Sequence, residues 1–440
     1  MSHTLPVPIA SWLVDHHQLD LTALYSSGWG MEHHAVALAP NGDLYALYLV
    51  WRYHHEAKDS AAPAEQNFGY RLITRYAPDG TPLATALCCQ DAPDGTPSAI
   101  TASSGMGLAV LPDGTLVVTG EPDCTYLIAP GLSKVLAAYT MPYRRPFDEV
   151  PSSDPFATAI RVTPSGRLLC VVSEFGVHRY GNCLPNLIAL TDGPLSPDNK
   201  PTLEAIASLD ARPAHQTEVD QRPHVQYQGR AVGLGHRPSP GLPDLLARDD
   251  KERYWYDQAR LGIAAEPLTD ELFVAPVLGR EFRSGSRGQV FAFALVNAQG
   301  EVTGRLEGLD NYKDSPFTGR CYSVATAPDH GLVFHLNRYG LYAWTADGRL
   351  RARLGTEDKP FKPLAQFTLM ACSSDGELVL VHRKQHLILR IPTRGNLDGL
   401  AETVETALRA YGRERTALKK QWRPVNWHWV QPTTEQPHHL

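Results

Sequence analysis

The sequence lacks most of the features that would take it to a membrane, to nucleic acid or into a disulfide-stabilised fold. It has no run of about 20 uninterrupted apolar residues, the length that a membrane helix needs. The net charge is −6, so no global basic field favours nucleic acid. The seven cysteines are odd in number and scattered, which fits a reducing cytosol better than a disulfide framework. Residues 1–24 lack the basic start and apolar run of a signal peptide. We therefore expect a cytoplasmic protein that binds neither membranes nor nucleic acid.

Three signatures of catalysis or metal binding are missing as well. No CxxC pair indicates a structural zinc site. No GxSxG segment indicates the nucleophile of a serine hydrolase, and no GxxxxGK[ST] segment indicates a phosphate loop. These absences remove the sequence-level support for three large functional classes.

The sequence is rich in turn-forming residues and in apolar residues. With 35 Gly and 35 Pro, little room is left for long helices. Hydrophobic residues make up 43% of the chain and charged residues 20%, which is enough to bury a sizeable core. This composition favours an all-β protein.

An internal repeat is the main signal. Six segments share a short apolar run, a tight turn that usually contains Gly, and a second apolar run. Asn-Gly and Asp-Gly favour such turns because they tolerate positive φ, so each segment predicts an antiparallel hairpin. The segments span residues 35–48, 107–120, 158–173, 262–277, 322–336 and 368–382.

The first five hairpins are each followed by a second, more polar hairpin, and together the two make a four-stranded blade. Radial repetition of such blades predicts a six-bladed β-propeller. The insert at 210–258, rich in Pro, Gly and His, leaves a seventh, degenerate blade as an alternative. The sixth blade has a third strand at 386–392, and we expect residues 9–24 to donate its outer strand. The propeller then spans residues 1–396.

A helix and an aromatic tail are predicted at 397–440. Apolar residues recur there at helical spacing, and charged residues occupy the opposite face. The helix either docks on the propeller rim or is offered to a partner. The apolar positions are Leu400, Val404, Ala407, Leu408, Tyr411 and Leu418.

The connections between strands are predicted to differ at the two ends of the propeller. The turns within hairpins are short, and in an antiparallel blade they all emerge at one end. The long irregular segments then emerge at the other end. Loops on a regular scaffold commonly carry function, so this loop-bearing end is the predicted site.

The predicted loops at that end are rich in arginine and tyrosine. Arg-Tyr occurs in three of its loops, and further basic residues lie in others. Arginine presents a planar fork that suits carboxylate or phosphate, so we expect a site for an acidic protein segment or an anionic small molecule. The alternative is that these arginines pair with rim acids such as Glu56, Glu174 and Glu281 and hold the loops together. The candidate residues are Arg52, Tyr53, Arg179, Tyr180, Arg280, Arg320, Arg338, Tyr339 and Arg383.

At fold level, the apolar–PDG–apolar hairpins over about 30–392 resemble the six-bladed propellers of NHL-repeat proteins and gluconolactonase-like hydrolases. The hydrolase resemblance implies a divalent ion in the channel, held by Glu, Asn and Asp at the starts of inner strands. Glu32 matches the first of these ligands, but the other places hold poor ligands for a hard cation. They are Met106, Thr158, Gly262, Tyr322 or Ser323, and Thr368.

We therefore predict a binding or assembly propeller without catalysis and without a cofactor. The alternative is a propeller-type hydrolase or lyase with one divalent cation in its channel. Its active site would lie near Glu32, His33 and His34, where histidine pairs offer acid–base groups.

Overall fold

The computed structural model describes most of the predicted strands and the start of the C-terminal segment. The expected closing strand at 9–24, most of the insert at 210–258 and the tail at 422–440 lie outside the described residues. The described residues are 29–52, 69–91, 97–99, 107–120, 124–139, 141, 143–144, 155–175, 183–208, 226–227, 230–231, 264–279, 289–307, 324–382 and 388–421.

The first three blades are each a separate sheet of mainly antiparallel strands. Blade 1 contains β1 (Trp29–Leu38), β2 (Leu44–Arg52), β3 (Gly69–Tyr76), β4 (Pro82–Asp91) and β5 (Pro97–Ala99). Blade 2 contains β6 (Gly107–Val110), β7 (Leu116–Gly120), β8 (Cys124–Ile128) and β9 (Val135–Tyr139). Blade 3 contains β10 (Tyr143–Arg144), β11 (Pro155–Val162), β12 (Arg167–Phe175), β13 (Cys183–Pro194) and β14 (Leu203–Ser208). The short β10 pairs parallel to β14 at the outer edge.

Three further sheets complete the ring, after a small hairpin in the insert formed by β15 (Gln226–Tyr227) and β16 (Arg230–Ala231). Blade 4 contains β17 (Glu266–Pro267), β18 (Leu272–Gly279), β19 (Gln289–Asn297) and β20 (Val302–Arg305). Blade 5 contains β21 (Val324–Ala327), β22 (Leu332–Asn337), β23 (Gly340–Thr345) and β24 (Leu350–Gly355). Blade 6 contains β25 (Phe367–Cys372), β26 (Glu377–His382) and β27 (Ile388–Pro392). The six predicted inner hairpins and the six-bladed propeller are confirmed.

One turn geometry recurs in these hairpins. In blade 1 the amide of Ala39 donates to the carbonyl of Asp43 at 2.8 Å, and the amide of Gly42 donates to Ala39 at 2.9 Å. This is a three-residue turn with a left-handed residue at its end, a position that glycine occupies without steric cost. The corresponding glycines have φ between +81° and +91°, and they are Gly42, Gly80, Gly114, Gly166, Gly300, Gly348 and Gly376.

The inner hairpin of blade 4 turns by a different device because it has no glycine. The side-chain hydroxyl of Thr269 accepts hydrogen bonds from the amides of Glu271, at 3.1 Å, and Leu272, at 3.0 Å. A threonine hydroxyl can replace a backbone acceptor in this way. The hairpin therefore keeps its tight reversal without a Gly at the equivalent place.

The hydrophobic core lies in layers between neighbouring blades. Between blades 4 and 5, for example, Phe293 and Val333 pack with Trp344, whose indole N–H donates to the carbonyl of Glu307 at 2.8 Å. Strand side chains alternate between the two faces of a sheet, so every central strand serves two of these layers. This is why the strands are almost continuously apolar.

An arginine links the last blade to the first. Arg390 on β27 donates from Nη1 to the carbonyl of Gly42 in the β1–β2 turn at 2.9 Å. The same guanidinium donates to both carboxylate oxygens of Glu377, from Nε to Oε1 at 2.8 Å and from Nη2 to Oε2 at 2.5 Å. The pair thus joins blade 6 to blade 1 at one end of the ring.

The C-terminal segment forms α1 (Leu400–Gln421), as predicted. Its buried face, with Leu400, Val404, Leu408 and Tyr411, packs into the layer shared by blades 5 and 6. The rings of Tyr411 and Phe367 meet edge to face with centroids 4.9 Å apart. No helix in the described part of the chain is long and apolar enough to span a membrane.

Candidate functional site

Most of the residues predicted to form the site lie outside the described part of the chain. This holds for Tyr53, Arg179, Tyr180, Arg280, Arg320 and Arg383. Arg52 is the last residue of β2, and its backbone alone is described. Arg338 and Tyr339 are described in full, so they show how one Arg-Tyr pair of the predicted site is built.

Arg338 and Tyr339 form the two-residue connection between β22 and β23. The side-chain oxygen of Asn337 accepts hydrogen bonds from the amides of Tyr339, at 2.8 Å, and Gly340, at 3.2 Å. Glycine is required after the tyrosine, because a Cβ on Gly340 would lie 2.4 Å from the carbonyl oxygen of Leu354. The local sequence Asn-Arg-Tyr-Gly thus specifies this turn.

The guanidinium of Arg338 is held by the neighbouring phenol. Its Cζ lies 4.7 Å from the ring centroid of Tyr339, and its Nη2 donates to the phenol oxygen at 2.5 Å. The Arg338 side chain is exposed, and among the described residues it contacts no carboxylate. The alternative in which rim acids neutralise these arginines therefore does not apply to Arg338 within the described structure.

The connection between blades 5 and 6 lies at the same end as this hairpin. Thr356 donates from its amide to the carbonyl of Tyr339 at 2.8 Å and from its hydroxyl to the carbonyl of Arg338 at 2.7 Å. The connection continues through a 3₁₀ helix, Lys362–Gln366, into blade 6. We call this end, defined by residues 338–339 and 356–366, the loop face.

The residues proposed for the alternative catalytic site lie on β1. Glu32 pairs with Leu49 and His33 with Tyr48, and the register shifts between His33 and Ala35, so a bulge falls at His34. The side chains of these residues are outside the description. Among the described residues, no group of three or more His, Cys, Asp or Glu could hold a metal ion.

The opposite end, where the inner hairpins turn, has a cavity of about 670 Å³. We call this end the turn face; its turns are residues 40–43, 112–115, 164–167, 268–271, 328–331 and 374–377. Each inner strand contributes to the cavity the residue that stands two positions before its turn. In blade order these residues are Leu38, Val110, Val162, Glu266, Thr326 and Cys372. The wall is therefore aliphatic in blades 1 to 3 and polar in blades 4 to 6.

A buried ion pair crosses the boundary between the two halves of this wall. Nε of Arg161 on β11 contacts Oε1 of Glu266 at 2.5 Å, and Nη1 of Arg161 donates to its neighbour's carbonyl, that of Ile160, at 2.8 Å. Glu266 is only 5% exposed. Burial raises the pKa of its carboxyl to about 7, although the charge of Arg161 opposes that shift. The pair joins blade 3 to blade 4.

The other polar wall residues are less reactive. The hydroxyl of Thr326 donates to the carbonyl of Pro267 at 2.7 Å, which joins blade 5 to blade 4. The thiol of Cys372 contacts the carbonyl of Ser373 at 3.3 Å. Burial raises the pKa of this thiol well above its usual value, so the group stays protonated at neutral pH and is a poor nucleophile.

Sequence reasoning missed Arg161 and Glu266. Both stand inside inner-strand segments that are otherwise apolar, in TAIRVTP and GIAAEPL. A charged residue in such a strand is a signal, because burying a charge is costly unless it is paired. The predicted site residues lie at the starts of the inner strands and in the loops, whereas this pair lies on β11 and β17 close to the turns that follow them.

Comparison with known proteins gives no family for this chain. No family model matches it, and no curated protein matches it. Among solved structures it is similar to U3-55K, with 9% identity and a TM-score of 0.35 over 80% of this chain and 89% of that one. It is also similar to a protein of unknown function from Dyadobacter fermentans DSM 18053, with 11% identity, a TM-score of 0.41 and coverages of 80% and 90%. The RRP9 WD40 repeats give 9%, 0.35, 80% and 88%.

Proposed function

We propose that this protein is a non-catalytic binding or assembly module that recognises an acidic protein segment or an anionic small ligand on its loop face. The observation that supports this proposal is the state of Arg338. Its guanidinium is exposed and stacked on Tyr339 instead of being paired with an acid.

The chemistry of this pair suits an anion. A guanidinium offers parallel N–H donors to a carboxylate or phosphate, and the contact with a phenol orients it without cancelling its charge. Because Arg338 sits in a tight hairpin that Asn337 holds by two hydrogen bonds, little backbone freedom is lost when a ligand binds.

The sequence extends the same motif around the loop face. Arg179, Tyr180 and Gly181 repeat the order of Arg338, Tyr339 and Gly340. We infer that the third blade offers a second guanidinium in the same manner. The remaining residues proposed for this surface are Arg52, Tyr53, Arg280, Arg320 and Arg383.

The test is binding of a fluorescein-labelled hexaglutamate peptide, followed by anisotropy at low salt. Arg338→Ala should weaken binding about tenfold, because one charge-assisted contact is lost. The matched control is Arg351→Ala, which removes another exposed arginine on β24 of the same blade. Equal weakening by both variants, or equal binding of hexalysine, would show that the loop face is not the anion site.

A further inference from the structure

The turn-face cavity has two chemically different walls. Blades 1 to 3 contribute the aliphatic side chains of Leu38, Val110 and Val162, while blades 4 to 6 contribute a carboxyl, a hydroxyl and a thiol at the same level. A ligand that fits both walls has an apolar part and a polar part. The volume of about 670 Å³ lies within the range of small-molecule sites, about 300–1,000 Å³.

The charge around the cavity indicates which polar group fits. Its described lining contains four carboxylates and one guanidinium, that of Arg161. Glu377 is paired with Arg390, whereas Asp329 and Asp375 are exposed at the mouth. A cleft lined mainly by one sign of charge concentrates ions of the opposite sign. The mouth therefore attracts cations.

Glu266 supplies a buried acceptor inside the cavity. Its Oε1 contacts Arg161, but its second oxygen, Oε2, accepts no hydrogen bond from the described residues. In the described structure, the fully buried side-chain atoms that lack a hydrogen-bond partner do not include Oε2. An open carboxylate oxygen on a residue that is only 5% exposed is the place where a donor from a ligand would gain most.

We infer that the turn-face cavity binds a small organic cation, whose ammonium or guanidinium group contacts Glu266 and whose aliphatic stem packs against Leu38, Val110 and Val162. This ligand differs in charge from the anion proposed for the loop face, and the two sites lie at opposite ends of the channel. Each proposal can therefore fail while the other stands.

The affinity should depend on pH because the cation needs an ionised Glu266. Among the described residues, the titratable and charged groups that act on this carboxyl are Arg161 from blade 3 and Cys372 from blade 6, whose thiol stays protonated. With the pKa of Glu266 raised to about 7, affinity for a permanently charged cation should rise about tenfold from pH 6 to pH 8.

The experiment is calorimetric titration of the full chain with n-hexylguanidinium, with n-hexanoate and n-hexanol as probes of the same chain length. We expect binding of the guanidinium, no binding of hexanoate, and a rise in affinity between pH 6 and pH 8. Glu266→Gln keeps an acceptor for Arg161 and should abolish this pH dependence. Tighter binding of hexanoate or hexanol than of the guanidinium would overturn the assignment.

A second variant covers the case in which Glu266→Gln does not fold. The double change Asp329→Asn with Asp375→Asn alters two exposed side chains and should weaken the guanidinium about fivefold at low salt. The matched control is Asp79→Asn with Asp347→Asn, two exposed turn aspartates that do not line the cavity. Equal weakening by the control would refute the site.

Two further experiments test where the cation binds and whether it is a small molecule or a side chain of a peptide. Arg338→Ala should bind n-hexylguanidinium as the wild type does, since it changes only the loop face. The capped peptide acetyl-Gly-Arg-Gly-amide carries the same group on a partner-like backbone. If it binds more tightly than n-hexylguanidinium, the assignment to a small molecule is wrong.

Discussion

Arg161 and Arg390 at the turn face have different partners from Arg338 at the loop face. At the turn face, Arg161 and Arg390 lie against the carboxylates of Glu266 and Glu377, and both connect neighbouring blades. At the loop face, Arg338 is exposed and stacked on a tyrosine. Arg161 and Arg390 join neighbouring blades through these contacts, whereas Arg338 contacts no carboxylate among the described residues. The role of an arginine in this fold therefore has to be inferred from its partner and not from its charge alone.

Other hydrogen bonds between blades strengthen the turn face. They connect main-chain and side-chain groups of residues that are far apart in sequence, which is what a closed ring requires. The pairs are Gly131 N with Tyr45 Oη, Thr326 Oγ1 with the Pro267 carbonyl, Asp329 N with the Ser374 carbonyl, and Ser165 N with Asp270 Oδ1.

Removing the buried carboxylate should produce the largest loss of stability. Glu266→Ala leaves Arg161 without its partner in a largely buried position, which we expect to cost about 3 kcal/mol of unfolding free energy. Urea denaturation followed by tryptophan fluorescence measures this. The control is Glu357→Ala, which breaks the exposed pair with Arg353 and should cost less than about 1 kcal/mol. Similar losses in the two variants would remove the contrast between the buried pair and the exposed pair.

The pH dependence of the unfolding free energy should reveal the titration of Glu266. The pKa of Glu266 is raised by burial from 4.5 to about 7 in the folded protein, so the folded state binds the proton more tightly than the unfolded chain. Its contribution is fully present below about pH 4.5 and is lost as the pH rises through about 7. We expect a loss on the order of 2 kcal/mol between pH 5 and pH 7. Glu266→Gln should lack this component, and an unchanged profile would contradict the assignment.

Alanine substitutions at two turn glycines should distinguish the energetic cost of backbone strain from the cost of steric crowding. Both have left-handed φ, +91° at Gly376 and +88° at Gly80. A Cβ on Gly376 would lie 2.8 Å from the amide nitrogen of Gly395, whereas a Cβ on Gly80 has nothing within 4 Å. Gly376→Ala should therefore cost about 2 kcal/mol and Gly80→Ala about 1 kcal/mol in thermal or urea unfolding. The reverse order would argue against the packing of the blade 6 turn.

The fold could be predicted from local sequence patterns, and so could part of the loop face. A glycine in PNGD, PDGT or SDGE specifies its own turn through positive φ, so the hairpins follow from the sequence alone. The contact of Arg338 with Tyr339 joins adjacent residues and is likewise local. By contrast, Arg161 and Glu266 are 105 residues apart, and only closure of the ring brings them together. Neither residue's local sequence states which partner neutralises it, so this pair could not be predicted.

The most direct test of the central claim is the unfolding free energy of the triple variant Arg52→Ala, Arg179→Ala, Arg338→Ala, measured in urea beside its affinity for the labelled hexaglutamate. If the three arginines proposed for the loop face serve binding, the unfolding free energy should stay within about 0.5 kcal/mol of the wild type while the peptide is no longer captured. A loss of about 2 kcal/mol or more, or unchanged capture of the peptide, would contradict the account, because these arginines would then serve the same structural purpose as Arg161 and Arg390.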